Sequence, residues 1–302
     1  MRFSIFQDTA LGARTSNQDR MGYCFTRDSL LMVLADGMGG HQRGEVAAQI
    51  AMQTAAAAFQ KAATPMLEDP VAFLDQALRL AHHDILGYQA LHHMPDAPRT
   101  TVVACVVQEG RAWWAHAGDS RLYWVRDGQL MARTRDHSKV EHMISLGQIA
   151  PHERDRHPDR NKVLNCLGSP FEPTIEIAPP ALLSPGDTLM LCSDGLWSAI
   201  PEDELCRRLA SGVVISMVPQ LVRIAVTAAG RQADNTTAVA MCWEGDPRSI
   251  DILSSVLVPD GAVTTTIGFG SLDVEAPAEL SEEEIERTIS EIRSAIEKTA
   301  TR

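Results

Sequence analysis

The alternation of hydrophobic and polar positions divides the first half of the chain into strands and helices. Three short apolar runs, "RFSIFQDT", "MGYCFTR" and "LLMVLAD", predict strands within residues 1–36. An alanine-rich stretch from Gly44 predicts a helix. A second helix is predicted after Asp69 and Pro70, because Asp is a favoured N-cap and Pro a favoured first helical residue. Strand patterns return over residues 100–133, where "QEGR" and "RDGQ" predict two hairpin turns.

The second half begins with a polar segment and then repeats the strand and helix blocks. Residues 136–170 have weak periodicity, which predicts an irregular segment with a short helix near "KVEHMISLG". A strand at "DTLMLCSDG", helices at "EDELCRRLAS" and "MVPQLVRIAVTAAGR", and a final strand at "TTAVAMCWE" follow. This order predicts an α+β layered fold and disfavours alternating βαβ units.

The pattern changes after Trp243. We predict one compact domain over residues 1–243, a linker over 244–280, and an amphipathic helix over 281–302. A capping box begins that helix, and four isoleucines share one face: Ser281 with Glu284, then Ile285, Ile289, Ile292 and Ile296. Two readings stay open for this helix. It packs back onto the domain, or it docks to a partner protein.

Composition and charge narrow the class of protein. The formal net charge of −12 disfavours a broad surface for nucleic acid or anionic membranes. The six cysteines stand mostly in apolar surroundings without a CxxC pair, which indicates free buried thiols in a reducing compartment. Neither a signal peptide nor an apolar run of membrane-spanning length is evident, so we expect a cytoplasmic protein.

Four aspartates stand where apolar runs begin or end: Asp36 in "LADG", Asp119 in "AGDS", Asp194 in "CSDG" and Asp234 in "ADNT". A single aspartate in such a place is most simply a turn residue or a helix cap. Four that converge would repel one another unless cations lay between them. Ligands that are all oxygen atoms favour Mg²⁺ or Mn²⁺ over Zn²⁺. The sequence therefore predicts a site for hard divalent cations.

The ordered motifs "GARTSNQDR", "LADGMGGHQRGEVAA", "AHAGDSRLY", "CSDGLW" and "ADNTTAVA" resemble those of the metal-dependent PP2C (PPM) protein serine/threonine phosphatases, in their bacterial form. The resemblance covers residues 1–243 and does not extend to the tail. It implies a PP2C-like four-layer αββα sandwich, with two antiparallel β-sheets flanked by helix pairs. It also implies two Mn²⁺ or Mg²⁺ ions at one end of the sandwich, with a third, weaker ion as a possibility in bacterial members.

The resemblance implies a role for each matching residue. Asp36 would bridge the two metals, the Gly37 carbonyl would bind the first, and Asp194 and Asp234 would bind the second. Asp119, together with Asp194, would bind the third ion, and Asp19 would act near the metals through a water molecule. Asn235 would orient a metal-bound water, and Arg14 would bind the substrate phosphate. A bidentate guanidinium suits a phosphate dianion.

The activity implied by the resemblance is hydrolysis of phosphoserine and phosphothreonine in proteins, by a hydroxide that bridges the two metals and attacks phosphorus in line. Phosphorylated proteins would be the substrates, and the enzyme would oppose a bacterial Ser/Thr kinase. Two alternatives stay open. One is a metal-stabilised interaction protein without catalysis, and the other is a phosphatase of an anti-sigma partner-switching pathway.

Departures from the family pattern occur at two positions. Met38 follows the Asp-Gly pair where eukaryotic relatives often carry a histidine, which leaves the general acid for the leaving group open. Gln18 stands where many relatives have glutamate. In the family the segment around "HERDRH" is a flap beside the active site, so His157, Arg160 and Asn161 are candidates for influencing substrate choice. A solvated loop is an equally good interpretation.

Overall fold

The computed structural model describes residues 1–38, 43–210 and 213–245. Most of the predicted linker and the whole predicted helix at 281–302 lie outside the described residues. The last strand continues to Gly245, two residues past the boundary placed at 243. No helix in the described ranges is both long and apolar enough to cross a membrane.

The strands of the described residues are short and are separated by turns or by helices. They are β1 (Arg2–Ala10), β2 (Asp19–Phe25), β3 (Ser29–Asp36), β4 (Val102–Gln108), β5 (Arg111–Ala117), β6 (Arg121–Arg126), β7 (Gln129–Arg133), β8 (Glu176–Ile177), β9 (Ala181–Leu182), β10 (Thr188–Cys192) and β11 (Thr236–Gly245). The helices of the described residues are α1 (Gly44–Ala62), α2 (Pro70–Leu91), α3 (Lys139–Ser145), α4 (Asp194–Trp197), α5 (Glu202–Leu209) and α6 (Val214–Ala229). Two 3₁₀ turns cover Pro151–Arg156 and Gly230–Gln232.

The strands form two antiparallel sheets. The first sheet has the order β1-β11-β10-β6-β7, and the second has the order β2-β3-β4-β5-β8, with β9 pairing to β5. Every pairing between these strands is antiparallel. The chain's first and last described strands are neighbours, since β1 and β11 pair from Arg2 with Gly245 to Ala10 with Thr236.

Strand β3 is buried on both faces, as its unbroken apolar run indicates. Its even-numbered side chains Leu30, Met32 and Leu34 pack between the two sheets, against residues of β10 and β11. The odd-numbered Leu31 and Val33 therefore point to the opposite face of the sheet, since side chains alternate along a strand. That face is covered by α1, which contacts both β2 and β3.

Helix pairs cover the outer faces of both sheets. Helix α2 packs on α1 over the second sheet, and α6 packs on β1 and β11 over the first sheet, with α4 and α5 beside it. A separate cluster of buried side chains from β10, β11, α5 and α6 fills the space under these helices. The four layers confirm the predicted αββα sandwich.

Both predicted hairpin turns are present, and both contain residues with positive φ. Glu109 and Gly110 join β4 to β5 with φ of 51° and 67°, and Asp127 and Gly128 join β6 to β7 with φ of 50° and 76°. Two successive residues with positive φ match the twist of a two-residue hairpin. One helix differs from its predicted bounds. Helix α6 begins at Val214, three residues before the predicted start. The two-residue strands β8 and β9 were not predicted, because two residues carry no detectable period.

The predicted N-cap of α2 is confirmed and gives a test of the fold. The Asp69 carboxylate accepts hydrogen bonds from the backbone N–H groups of Val71 and Ala72 at 2.9 and 3.0 Å. We expect Asp69→Ala to lower the free energy of unfolding by about 1 kcal/mol, because two helical N–H groups lose their partner. Chemical denaturation measures this, with the exposed neighbour Glu68→Ala as control. Equal stability of the two variants would contradict the capping role.

Candidate functional site

The predicted aspartates lie at one end of the sandwich, where strand ends from both sheets meet. Asp36, Asp119, Asp194 and Asp234 all line one cleft of about 510 Å³. Asp36 is the last residue of β3, and Asp119 lies in the turn between β5 and β6. Asp194 begins α4, one residue after the end of β10, and Asp234 lies two residues before the start of β11. Arg14, Gly37, Met38 and Asn235 line the same cleft.

Asp19 lies behind this cleft and does not line it. The pairing of β2 with β3 places Asp19 directly opposite Asp36. Its side chain is buried, and its Oδ2 atom accepts a hydrogen bond of 2.8 Å from the Ser193 hydroxyl. Its Oδ1 atom is buried without a hydrogen-bond partner among the described residues. A buried carboxylate oxygen without a partner is costly unless a cation or a water satisfies it.

The backbone of Asp36 is held firmly by its neighbour strand. Its carbonyl oxygen accepts hydrogen bonds of 2.9 Å from both the Thr101 N–H and the Thr100 hydroxyl. Its own N–H lies 3.4 Å from the Thr101 hydroxyl, which is 2.6 Å from the Ser120 hydroxyl. These contacts fix the direction in which the Asp36 side chain leaves the strand.

Gly37 is required by a close approach of two backbones. A Cβ atom added to Gly37 would lie 2.4 Å from the carbonyl carbon and oxygen of Gly44, and 2.8 Å from the Gln18 carbonyl oxygen. Gly44 begins α1, so the end of β3 and the start of α1 touch backbone to backbone. The Gly37 N–H donates to the Gln18 carbonyl at 3.2 Å. Glycine therefore lets helix and strand meet beside the cleft.

Negative charge accumulates among these carboxylates and shifts their protonation. Burial raises the pKa of Asp36 well above its ordinary value, and the Asp19 and Asp194 carboxylates raise it further. Burial likewise raises the pKa of Asp194, with Asp119 and Asp234 adding to the effect. Each group is harder to ionise because the others are already negative.

Asp119 is supported by a buried ion pair that the sequence did not reveal. Arg121 donates to Asp136 through two hydrogen bonds of 2.7 Å, and its guanidinium carbon lies 3.5 Å from the centre of the Trp197 ring. The Trp197 indole N–H donates to the Asp119 carbonyl at 2.9 Å. Burial raises the pKa of Asp119 to about 7, and the Asp136 carboxylate contributes to this rise. Arg121 begins a buried strand, and a charged residue in that apolar run was the sequence signal that could have indicated a buried ion pair.

Arg14 reaches the cleft from the loop after β1. Its Nη2 atom lies 2.5 Å from Asp234 Oδ2, and its side chain is 58% exposed. The hydrogen bond to Asp234 raises the pKa of the Arg14 guanidinium. One edge of the guanidinium is thus tied to a cleft carboxylate, while the rest of the group remains accessible to a ligand.

Asn235 holds the loop that carries Arg14. Its Nδ2 atom donates hydrogen bonds of 3.0 Å to the carbonyl oxygens of Leu11 and Ser16, and its Oδ1 atom accepts one of 2.8 Å from the Gln18 N–H. Both amide protons are therefore engaged with the backbone. The predicted role of Asn235 in orienting a water stays a prediction, and its hold on this loop is a role that sequence reasoning missed.

The residues of the cleft fit a site for hard cations. Four carboxylates line one open space, and a fifth lies directly behind it. One oxygen of that fifth group has no hydrogen-bond partner in the part of the chain that the structure describes. Burial is the main cause of the raised pKa of Asp36 and Asp194, and the neighbouring carboxylates raise it further. Divalent cations between them would relieve this repulsion, and oxygen donors are the ligands that Mg²⁺ and Mn²⁺ prefer.

The predicted flap residues lie at different distances from the cleft. Asn161 lines the cleft itself, and Arg160 lines an adjoining space of about 220 Å³ together with Arg14 and Asp194. His157 lines neither space, and its Nδ1 atom accepts a hydrogen bond of 3.1 Å from the Asp159 N–H. The sequence interpretation therefore named two residues that face the site and one that shapes the turn before them.

Ion pairs hold this flap segment against the domain. The buried Glu141 carboxylate accepts hydrogen bonds from Arg154 at 2.6 Å and from Arg135 at 3.2 Å. Asp159 contacts the ammonium groups of Lys139 and Lys162 at 2.5 and 2.7 Å. These contacts were not predicted, because they join residues of a segment without periodicity.

Gln18 and Met38, the two departures from the family pattern, both line the cleft. Gln18 donates from its Nε2 atom to Glu45 at 3.0 Å, so its side chain is held against the first turn of α1. Met38 donates its backbone N–H to the Arg99 carbonyl at 3.0 Å. A thioether carries no acidic proton, so the Met38 side chain cannot act as a general acid.

Two histidine–glutamate groups within the described ranges also bring possible ligand atoms within 4.8 Å of one another: His82, His83 and Glu172, and His116, His137 and Glu176. In the second group the His116 Nε2 atom lies 2.7 Å from the Arg135 carbonyl, and the His137 Nδ1 atom accepts from the Gly118 N–H at 3.3 Å. These imidazole atoms are thus already hydrogen-bonded, and they brace the turn that carries Asp119.

Comparison with known proteins gives consistent matches. The family model described as Protein phosphatase 2C matches residues 7–232. The serine/threonine protein phosphatase PstP of Mycobacterium tuberculosis is 33% identical over 240 residues, which are 79% of this chain and 44% of that protein. The chain thus spans less than half the length of this relative. With two antiparallel sheets, flanking helices and a carboxylate-lined cleft, the chain belongs to the protein phosphatase 2C family.

Solved structures agree with this assignment. The serine/threonine phosphatase Stp1 from Staphylococcus aureus is 29% identical with a TM-score of 0.74, covering 81% of this chain and 96% of its own. The catalytic domain of the serine/threonine protein phosphatase PstP, in complex with 2 manganese ions, is 31% identical with a TM-score of 0.65. That match covers 80% of this chain and 97% of the other.

The close approach at Gly37 gives a test with a matched control. We expect Gly37→Ala to lower the thermal unfolding midpoint clearly, because the new methyl group would collide with the backbone of Gly44. The control is Gly87→Ala in the middle of α2, where an added Cβ meets no heavy atom within 4 Å. That substitution should leave stability unchanged or raise it by up to about 1 kcal/mol. If Gly37→Ala melted no lower than Gly87→Ala, the proposed backbone contact would be wrong.

Proposed function

We propose that this protein hydrolyses phosphoserine and phosphothreonine in phosphorylated proteins, with Mn²⁺ or Mg²⁺ ions bound at the cleft. The observation that carries the proposal is the convergence of four carboxylates and Arg14 on one open space. Such an arrangement suits a phosphate dianion, whose charge would be repelled by carboxylates alone but attracted by cations held among them. The relatives' names, serine/threonine phosphatases, support the same reaction class.

In this proposal each carboxylate of the site would contact particular cations. Asp36 would contact two ions, the Gly37 carbonyl would contact the first, and Asp194 and Asp234 would contact the second. Asp119 would help to hold a weaker third ion, and Asp19 would act through water. Two such ions, when bound, supply the Lewis acidity that activates a water molecule for attack and neutralises charge on the phosphate.

Arg14 would bind the phosphate oxygens of the substrate. One of its N–H groups contacts Asp234, and a guanidinium has five N–H donors in a planar fork. The remaining donors can therefore bind two oxygens of a phosphoryl group. Because Asn235 holds the loop of Arg14, the guanidinium would be positioned before the substrate arrives.

The cysteines do not serve as nucleophiles in this proposal. All six are buried and free. Burial raises the pKa of Cys24 to about 12, and it raises the pKa of Cys105 and Cys192 further. Buried thiols of high pKa are poor nucleophiles at neutral pH. Direct attack by water on phosphorus, without a covalent phosphoenzyme, fits these surroundings better.

The pathway is a further part of the proposal. We further propose that the enzyme works in the cytoplasm and opposes a Ser/Thr kinase. We assign catalysis to residues 1–243, and we regard residues 244–280 as a linker to a helix at 281–302. A phosphatase of an anti-sigma partner-switching pathway would carry the same site, so substrate trapping has to separate the two. A non-catalytic interaction protein is disfavoured, because every predicted ligand except Asp19 lines one cleft and Asp19 lies directly behind it.

The first test removes the proposed bridging carboxylate. We expect Asp36→Asn to reduce hydrolysis of a phosphothreonine peptide and of p-nitrophenyl phosphate by at least about a hundredfold in the presence of Mn²⁺, because one anionic ligand is lost. EDTA should abolish the wild-type activity, and added Mn²⁺ should restore it. The control is Asp127→Asn in a hairpin turn, where Asn-Gly is equally suitable. Full activity of Asp36→Asn would exclude the proposed role.

The second test concerns phosphate binding by Arg14. We expect Arg14→Ala to raise KM for a phosphothreonine peptide about tenfold or more, because the guanidinium forms charge-assisted hydrogen bonds with the phosphate. Arg14→Lys should recover only part of this loss, since an ammonium cannot form the planar fork. Steady-state kinetics at saturating Mn²⁺ measures both variants, with the exposed Arg27→Ala as control. A KM equal to the wild-type value would mean that Arg14 does not bind substrate.

The third test addresses the flap. We expect Arg160→Ala and Asn161→Ala to raise KM for phosphopeptides severalfold while changing KM for p-nitrophenyl phosphate little, because both residues lie at the rim of the cleft, where a peptide but not a small ester extends. Arg223→Ala on the exposed face of α6 is the charge-matched control. Equal losses for peptide and small ester would mean that these residues do not contact the peptide part of the substrate.

A further inference from the structure

Arg99 is a partly buried arginine whose side chain has no polar partner in the part of the chain that the structure describes. Its Nε–H group is buried and donates to no acceptor there. The two terminal nitrogens also contact no acceptor of the described residues, but they are open to solvent. A buried donor without an acceptor is costly, so a ligand that accepts from this guanidinium would recover free energy that the fold leaves unused.

The other arginines whose side chains the structure describes are either paired or exposed. Arg14, Arg121 and Arg154, which lie near the cleft, each contact a carboxylate. Those without a side-chain partner are fully exposed to water: Arg111, Arg160, Arg223 and Arg231. Arg99 therefore combines partial burial with an unused hydrogen-bonding capacity, which these arginines do not.

The backbone of Arg99 belongs to the wall of the cleft. Two antiparallel hydrogen bonds join the end of β3 to the segment that precedes β4. The Thr101 N–H donates to the Asp36 carbonyl at 2.9 Å, and the Met38 N–H donates to the Arg99 carbonyl at 3.0 Å. This register sets Asp36 opposite Thr101 and Met38 opposite Arg99.

The same register fixes the face on which the Arg99 side chain leaves the backbone. Residues that are directly opposite in an antiparallel pair share a face, and so do residues two apart along one strand. Asp36, Met38 and Thr101 all line the cleft. The Arg99 side chain therefore leaves on the face that bears the cleft, although it lies outside the lining of the cleft itself.

The charge of Arg99 acts close to the site. Burial raises the pKa of the Cys166 thiol, while the positive charge of Arg99 lowers it and the Asp119 carboxylate raises it. One thiol is thus within electrostatic reach of both Arg99 and a carboxylate of the cleft. Arg99 also lies two residues from Thr101, a separation of about 7 Å along an extended backbone.

We propose that Arg99 determines substrate specificity by binding an anionic side chain of the phosphoprotein, two residues away from the phosphorylated one. An extended peptide covers about 7 Å in two residues, and side chains two apart point to the same side. The planar fork of a guanidinium fits either a carboxylate or a second phosphate. This inference rests on the phosphatase function proposed above, and it adds the class of protein substrate that the cleft selects.

Peptide kinetics at saturating Mn²⁺ test this inference. Matched phosphothreonine peptides carry Gln, Glu or a non-hydrolysable phosphonate analogue of phosphoserine, two residues before or two residues after the phosphothreonine. For one of these two positions we expect wild-type kcat/KM to be about tenfold higher with an anion than with Gln, because a charge-assisted hydrogen bond forms. The gains from Glu and from the phosphonate show which anion is preferred. Arg99→Gln should lose the preference and still hydrolyse p-nitrophenyl phosphate at the wild-type rate.

Charge reversal distinguishes binding from a merely structural role. Arg99→Glu should favour a matched peptide with Lys at the selected position over the Glu peptide, whereas Arg99→Lys should keep part of the wild-type preference. The control is Arg111→Glu, because Arg111 is exposed and begins β5 at the end opposite to Asp119. This control should select peptides as the wild type does.

Two sets of results would overturn the inference in different ways. Equal hydrolysis of anionic and Gln peptides by the wild type, or a preference that persists in Arg99→Gln, would exclude anion binding by Arg99 and leave the phosphatase function standing. Failure of the wild type to hydrolyse every peptide and p-nitrophenyl phosphate would overturn both.

Discussion

The interaction on which the candidate site depends is the mutual repulsion of carboxylates that the fold forces together. The β2–β3 register sets Asp19 opposite Asp36, and strand ends from both sheets bring Asp119, Asp194 and Asp234 to the same end. Burial raises the pKa of Asp36 and Asp194, and the neighbouring carboxylates raise it further. The rest of the sandwich supplies the rigidity that holds the like charges in place, so that positive ions become the natural complement.

Much of the fold and site could be predicted from the sequence because the signals are local. The Asp69 N-cap, the two hairpin turns and the buried β3 each follow from a few adjacent residues, and each is present. The order of the motifs was sufficient to predict that the aspartates converge. Asp19 is the partial exception, because nothing in "NQDR" shows that its side chain lies behind the cleft and not on its wall.

What could not be predicted depends on contacts between distant parts of the chain. The Arg121–Asp136 pair under Asp119, the hold of Asn235 on the loop of Arg14, and the contact of Gly37 with Gly44 all join segments that only the tertiary structure brings together. In each case the residue type was visible but its partner was not.

The position of β11 between β1 and β10 has a consequence for how the molecule can be made. The first sheet joins the beginning of the chain to its last described strand, so it stays incomplete until residue 245 has been synthesised. Asp234 arrives with that same strand. A ribosome-bound chain can form the hairpins of the second sheet early, but its long-range closure must wait, and such non-local closure is slow. The cleft that would bind metal therefore forms only late in folding, so metal binding would show that folding is complete.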